Sequence, residues 1–305
     1  MKKLVVLAFH GIGTYHDDFQ IPERRFDRFL KAGLKSRLGA DFDRLVWAPV
    51  LWSDKVLEDR QKALLDGRKP PAIWSRVFEF VASSIADAAA YQLSQRDDAY
   101  YRSAYFRTQT LVRQALRKIE QEESDTVGMP VFAIADSMGC KVLSSYSWDA
   151  DHKPERILEK DEDPVKLTHF QRLRGITGLV YTGCNLPLLT MDIPNKATMP
   201  MKLPLNPLPG RPDFTSSWLS YYDRDDVLGY PIEQEYLAYF SGQHEDQASF
   251  PGWNRNPALE QRPTDIKIGV GGLLGLTPFA HLYYWQSGAI QDEIARQIRR
   301  VLAAL

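Results

Sequence analysis

The chain alternates short, wholly apolar runs with longer stretches in which apolar residues recur every three or four positions. Leu4–Phe9 is a continuous apolar run rich in Val and Leu, the pattern of a strand buried on both faces of a parallel sheet. His10-Gly11-Ile12-Gly13-Thr14 breaks it sharply, and Glu23 to Leu38 then reads as a helix. Further strands are expected at Leu45–Trp52, interrupted by Pro49, and at Val131–Ala135, after the breakers Gly128 and Pro130. Gly178–Thr182, Trp218–Tyr222 and Ile266–Val270 complete the set. Strands separated by helical stretches predict an α/β fold with a mostly parallel sheet flanked by helices.

Two segments interrupt this rhythm. Residues 53–123 are mostly helical by pattern, broken at Lys69-Pro70-Pro71 and near Asp97-Asp98, and read as a helical insertion. Its last part, Tyr100 to Ile119, carries apolar residues at helical spacing and leads into the third strand. The second segment, Cys184–Pro212, holds seven of the nineteen prolines, a density that excludes helix and central strand. It also carries Leu186, Leu188, Leu189, Met191, Met199, Met201 and Leu203, so it is expected to cover something apolar, as a cap loop.

Composition narrows the class without naming a chemistry. The 305 residues are 44% hydrophobic and 25% charged, ordinary for a globular chain, and fit one large domain or two small ones. Lys+Arg (38) and Asp+Glu (39) nearly cancel, so the basic excess of a nucleic-acid binder is missing. Two cysteines make no disulfide framework, which fits a reducing compartment. The apolar run after Met1-Lys2-Lys3 is too short for a secretory signal and lacks a cleavage site. No stretch approaches the roughly 18 apolar residues of a membrane span. A cytoplasmic protein with no integral membrane segment is expected.

The most informative stretch is Ala135-Asp136-Ser137-Met138-Gly139, between an apolar strand and a helix running through Trp148. A serine on so tight a turn needs nearly side-chain-free neighbours two residues away on either side, and Ala135 and Gly139 supply them. A serine there could also simply cap the helix. Partners in the expected order favour a nucleophile. Trp218-Leu-Ser-Tyr-Tyr-Asp-Arg-Asp-Asp-Val-Leu-Gly offers three carboxylates after a strand. Asp225 fits the pattern best, with Asp226 in reserve and Asp223 third. Of the six histidines, only His244 and His281 come later in the chain. His244 lies in a polar stretch, whereas His281 sits among Phe279, Leu282, Tyr283, Tyr284 and Trp285 before the last helix, which suits a buried base.

The order HGIG, ADSMG, DRDDVLGYP, AHLYYW resembles the α/β-hydrolase superfamily, and is most similar to its little-characterised bacterial esterase-like members. The resemblance spans nearly the whole chain and implies a single α/β-hydrolase domain. It departs from the usual motif at Ala135, where glycine is commoner, and at Asp136, where many such enzymes have histidine. It implies Ser137 as nucleophile, Asp225 as acid and His281 as base, with the backbone amides of Ile12 and Met138 as oxyanion hole. Asp136 is expected to point away from the site, beside an Arg or Lys.

These groups in this order imply a serine hydrolase acting on a small-molecule carboxylic ester with an apolar acyl or alcohol part, needing no metal or organic cofactor. A thioesterase, acyltransferase or peptidase would use the same groups. A non-catalytic relative that binds a partner through the helical insertion is the alternative from another class, with Tyr100, Tyr101, Tyr105 and Phe106 as its best support. Cys140 and Cys184 read as small buried residues.

Overall fold

A computed structural model of the chain describes residues 3–11, 22–52, 90–91, 100–123, 128–189, 203, 207–208, 210–234, 236, 262–270 and 278–305. Within these residues six strands form one sheet: β1 (Leu4–Phe9), β2 (Leu45–Val50), β3 (Val131–Asp136), β4 (Ile176–Thr182), β5 (Ser217–Tyr222) and β6 (Thr264–Lys267). Their order is β2-β1-β3-β4-β5-β6, and every neighbouring pair is parallel. The helices are α1 (Pro22–Leu38), α2 (Ala104–Glu122), α3 (Met138–His152), the single turn α4 (Leu186–Leu189) and α5 (Gly288–Ala304). This is the α/β-hydrolase architecture expected from the sequence: a parallel sheet flanked by helices, with a serine between the third strand and its helix.

The run Leu4–Phe9 needs no alternation because the sheet is covered on both sides. Val5, Leu7 and Phe9 enter one core with Val112, Leu116, Val142 and Tyr146 of α2 and α3. Leu4, Val6 and Ala8 enter a second core with Leu30 and Leu34 of α1 and Ile290, Ile294 and Ile298 of α5. Each such side chain taken out of water contributes about 1.5–3 kcal/mol, so the central strands anchor the molecule.

Several boundaries differ from expectation, each for a local reason. Pro49 lies inside β2 rather than breaking it, because β2 is an edge strand and one of its sides needs no ladder donors. The expected sixth strand begins two residues earlier and ends at Lys267, where it forms the opposite edge. The stretch from Tyr100 is a 3₁₀ turn, and the helix proper starts after Ser103, whose hydroxyl accepts the Phe106 N–H at 3.1 Å. The Pro-rich segment does hold helix: α4 tolerates Pro187 in its first turn, where no intrahelical donor is lost. Most of that segment (190–202, 204–206 and 209) and of the expected insertion (53–89 and 92–99) lies outside the described residues.

Strand order sets where a site can form. From β1 the chain crosses to β2 on one side, and β3 returns to the other side of β1. In open α/β sheets the crevice at such a reversal, beyond the carboxyl ends of the strands, is where ligands bind. The register pairs Phe9 with Ala135, so the loop after β1 and the turn after β3 meet there.

Candidate active site

Ser137 stands between β3 and α3 with φ 51° and ψ −121°. Positive φ is rare for a side-chain-bearing residue and costs about 1–3 kcal/mol, so the surrounding structure must enforce it. The Ser137 N–H donates to the Thr182 carbonyl at 2.8 Å, tying the turn to the end of β4. Gly139 is obligatory: a Cβ there would come within 2.6 Å of the His10 carbonyl oxygen and 2.7 Å of that of Phe9. Ser137 does not cap α3, since its side chain makes no bond to the helix. Its hydroxyl instead lies 2.6 Å from His281 Nε2.

His281 is buried in the 3₁₀ turn Pro278–Leu282, and its Nδ1 lies 2.8 and 3.0 Å from Oδ2 and Oδ1 of Asp226. The carboxylate beside His281 is therefore that of Asp226, and Asp225 is corrected to an exposed residue of the same turn. Asp223 caps the start of the turn, accepting the Asp225 N–H at 3.0 Å and the Val270 N–H at 2.8 Å. Asp226 in turn accepts the Leu228 N–H at 2.8 Å, closing a second small turn that aims its carboxylate inward. The glycine three residues on is the signal that separates the two candidates. A Cβ on Gly229 would lie 2.2 Å from Asp226 Oδ2, so this carboxylate is pressed against a glycine.

Two residues at the site are not singled out by the sequence. Tyr284 is buried, one helical turn after His281, and donates its hydroxyl to Asp226 Oδ2 at 2.8 Å. Gly183 has φ 53°, and a Cβ there would lie 2.8 Å from the Tyr284 ring and 3.1 Å from the His281 ring. The end of β4 thus has to be glycine for the imidazole to reach Ser137.

Electrostatics favours an ionised Asp226 and a basic His281. Burial alone would raise the Asp226 pKa, but the His281 hydrogen bond and charge, with the Leu228 and Tyr284 donors, hold it below the usual carboxylate value. Burial alone would lower that of His281, but Asp226, helped by the charge of Asp136, lifts it above the ordinary imidazole value. Asp136 itself is buried and pushed up to about 6 by desolvation. Its Oδ1 accepts the Thr182 hydroxyl at 2.6 Å, where the sequence suggests an Arg or Lys. Its Oδ2 faces Gly11, 3.0 Å from where a Cβ would stand, so it does not point away from the site.

The loop after β1 is described as far as Gly11, and Ile12 lies outside the described residues. His10 is buried, stacked on Trp52 with centroids 4.9 Å apart, and Trp52 Nε1 donates to its carbonyl at 2.8 Å. Burial lowers its pKa to about 4, so the ring is neutral at pH 7. Its Nδ1 donates to the Gly11 carbonyl at 2.7 Å, which fixes the tautomer, because a carbonyl can only accept. Met138 is the first residue of α3, where the helix leaves backbone N–H groups without intrahelical partners.

The structure brings Ser137, His281 and Met138 together with Asp226; Asp225 lies apart, and His244 is outside the described residues. Tyr100, Tyr105 and Phe106 are buried against α3 rather than displayed as a binding face. Cys140 and Cys184 are both buried. Among the described residues no group of three or more His, Cys, Asp or Glu is arranged to hold a metal ion, and no helix is long and apolar enough to cross a membrane.

No protein-family model matches the chain, and no curated protein matches it in sequence. Among solved structures it is similar to a dienelactone hydrolase from Anabaena variabilis, at 12% identity and a TM-score of 0.40, over 99% of this chain and 87% of that one. At that distance the likeness bears on neither substrate nor residue roles.

Proposed function

We propose that this chain is a serine hydrolase that cleaves small-molecule carboxylic esters with an apolar acyl or alcohol part, through an acyl-enzyme. The observation that carries the reading is the chain of contacts Ser137 Oγ to His281 Nε2 at 2.6 Å and His281 Nδ1 to Asp226 Oδ2 at 2.8 Å. It is mounted on a strained turn at the reversal of the sheet. His281 Nε2 takes the Ser137 proton as Oγ attacks the ester carbonyl. Asp226 accepts from Nδ1–H, holds the tautomer that leaves Nε2 able to accept, and stabilises the imidazolium. The Met138 N–H, with that of Ile12 as the second proposed donor, stabilises the oxyanion; losing one such donor typically costs about 10²–10³ in rate. His281 then returns the proton to the leaving alkoxide, and water repeats the sequence in reverse to release the acid. No step in this sequence calls on a cofactor.

The apolar substrate class is supported by what flanks these residues. Val227 and Leu282, the chain neighbours of Asp226 and His281, are 55% and 40% exposed, which leaves apolar surface next in the chain to these two buried groups.

A fluorophosphonate probe tests the reading. The wild type is expected to be labelled covalently and Ser137→Ala not at all, with hydrolysis of p-nitrophenyl butyrate falling about 10⁴–10⁶-fold. A folded wild type that neither reacts with the probe nor hydrolyses any p-nitrophenyl ester overturns it.

A further inference from the structure

Asp226 is held by more than the histidine it faces. The Tyr284 hydroxyl donates to its Oδ2 at 2.8 Å, and the same hydroxyl oxygen accepts the Asp223 N–H at 2.7 Å. The second bond gives the first its direction. A phenol has one hydrogen, and with the backbone amide occupying a lone pair that hydrogen is turned to the carboxylate. The ring is buried, stands edge-on to the His281 ring, and is backed by Gly183, which has no side chain to displace it. His281 and Tyr284 also lie three residues apart on consecutive 3₁₀ turns, so one short segment delivers both the base and the group that tunes its partner.

We infer that Tyr284 is a positioning residue for the reaction, donating its phenolic proton to Asp226 so that the carboxylate is fixed against His281 Nδ1 and kept from drawing that proton to itself. The inference rests on the reading of Ser137 and His281 as nucleophile and base. Its physical content is a division of charge. A carboxylate that shares its lone pairs with a phenol is a weaker base and a weaker partner for an imidazolium. His281 is thereby kept less basic than Asp226 alone would make it, so more of it is neutral and able to accept the Ser137 proton near pH 7. Burial and the adjacent Asp226 charge push the Tyr284 phenol itself far above its ordinary range, so it remains a donor wherever the enzyme works. The arrangement also ties the turn after β5, at both Asp223 and Asp226, to the 3₁₀ turn that follows the one bearing His281, through the Tyr284 hydroxyl oxygen.

Tyr284→Phe removes the donor and keeps the ring. The expected result is a fall of about tenfold in kcat/KM for p-nitrophenyl butyrate at the plateau, a change of about 1.4 kcal/mol. The acid limb of the pH profile is expected to move to higher pH, because Asp226 then favours the imidazolium more strongly. A merely structural tyrosine would lower the active fraction, counted by fluorophosphonate titration, and leave the limb where it is. Site-specific fluorotyrosine at position 284, a more acidic and stronger donor of nearly the same size, is expected to move the limb the opposite way. Limbs that coincide in wild type, Phe and fluorotyrosine forms overturn the role of Tyr284 while Ser137-dependent labelling stands. Absence of that labelling in the folded wild type would remove the reaction itself.

Discussion

Two buried aspartates in this molecule each accept a tyrosine hydroxyl and a basic side chain, yet their pKa values move in opposite directions. Asp226 takes Tyr284 and His281 and is held below the usual carboxylate range. Asp149 takes Tyr105 at 2.5 Å and Arg156 at 3.2 Å, yet burial wins and pushes it up to about 6. The hydrogen bond and charge of His281 do most to lower Asp226, and the backbone adds to the difference. Asp226 sits in a turn, where the Leu228 N–H has no ladder or helix partner and serves the carboxylate. Asp149 sits inside α3, where the backbone N–H groups are engaged by carbonyls one turn earlier. A turn can solvate its own carboxylate; a helix interior has to borrow side chains. The basic partners differ as well. His281 has a second nitrogen to offer Ser137 and titrates near neutrality, whereas Arg156 is always charged and has no lone pair to lend.

The sharpest way to break the comparison is to neutralise each carboxylate of the turn. Asp226→Asn keeps the shape but leaves His281 Nδ1 facing a group that can present N–H, which favours the wrong tautomer. The expected fall in kcat is about 10³–10⁴-fold. Asp225→Asn, on the exposed neighbour, is expected to stay within about twofold. Steady-state hydrolysis of p-nitrophenyl butyrate by the two variants reads this directly. Equal losses, or a larger loss at position 225, would return the acid to Asp225.

The adjacent pair marks how far the sequence can be read. The sheet is legible because each central strand is apolar on both faces, and Leu4–Phe9 or Val131–Asp136 can hardly be anything else. Ser137 and His281 are legible because strain and burial leave local marks: small neighbours at Ala135 and Gly139, and an aromatic setting around His281. Asp225 and Asp226 are adjacent, equally charged and come after the same strand, and the pattern that favours Asp225 carries no information on which of the two turns toward His281. What ranks them is the direction each side chain takes, set by the Asp223 carboxylate capping Asp225 N–H and by Gly229 making room. Tyr284 escapes notice because a tyrosine in an aromatic run reads as packing, and its hydrogen bonds connect segments distant in sequence. Asp136 departs from expectation because the Thr182 hydroxyl that holds it comes from another strand.

The Asp149 cluster should respond in stability rather than rate. Asp149→Ala strands the Tyr105 hydroxyl and the Arg156 guanidinium, and is expected to cost about 2–4 kcal/mol and to lower Tm by about 3–6 °C. Tyr105→Phe removes one donor and is expected to cost about 1–2 kcal/mol. In both variants kcat per labelled site is expected to match the wild type. Calorimetry together with fluorophosphonate titration separates the two effects, and a fall in kcat per site would mean that the cluster reaches the active site through α3.

The finest test concerns Asp136, a third buried carboxylate, which burial pushes up to about 6 as it does Asp149. In the proposed mechanism neutral His281 is the competent base, so activity is expected to be lost as pH falls through its pKa, which lies above the ordinary imidazole value. Part of that elevation is the charge of Asp136, which titrates near 6 and is therefore largely ionised where His281 takes up its proton. Asp136→Asn removes the charge while its amide oxygen can still accept the Thr182 hydroxyl. With less negative potential at the ring the imidazolium is less favoured, His281 titrates lower, and the acid limb moves to lower pH. On that limb the variant should retain about two- to threefold more of its plateau activity than the wild type. Fluorophosphonate labelling rates across the same pH range should show the same shift, since they depend on the same neutral imidazole. An unmoved limb would mean that the charge on Asp136 is screened from His281, leaving Asp226 alone to set the base.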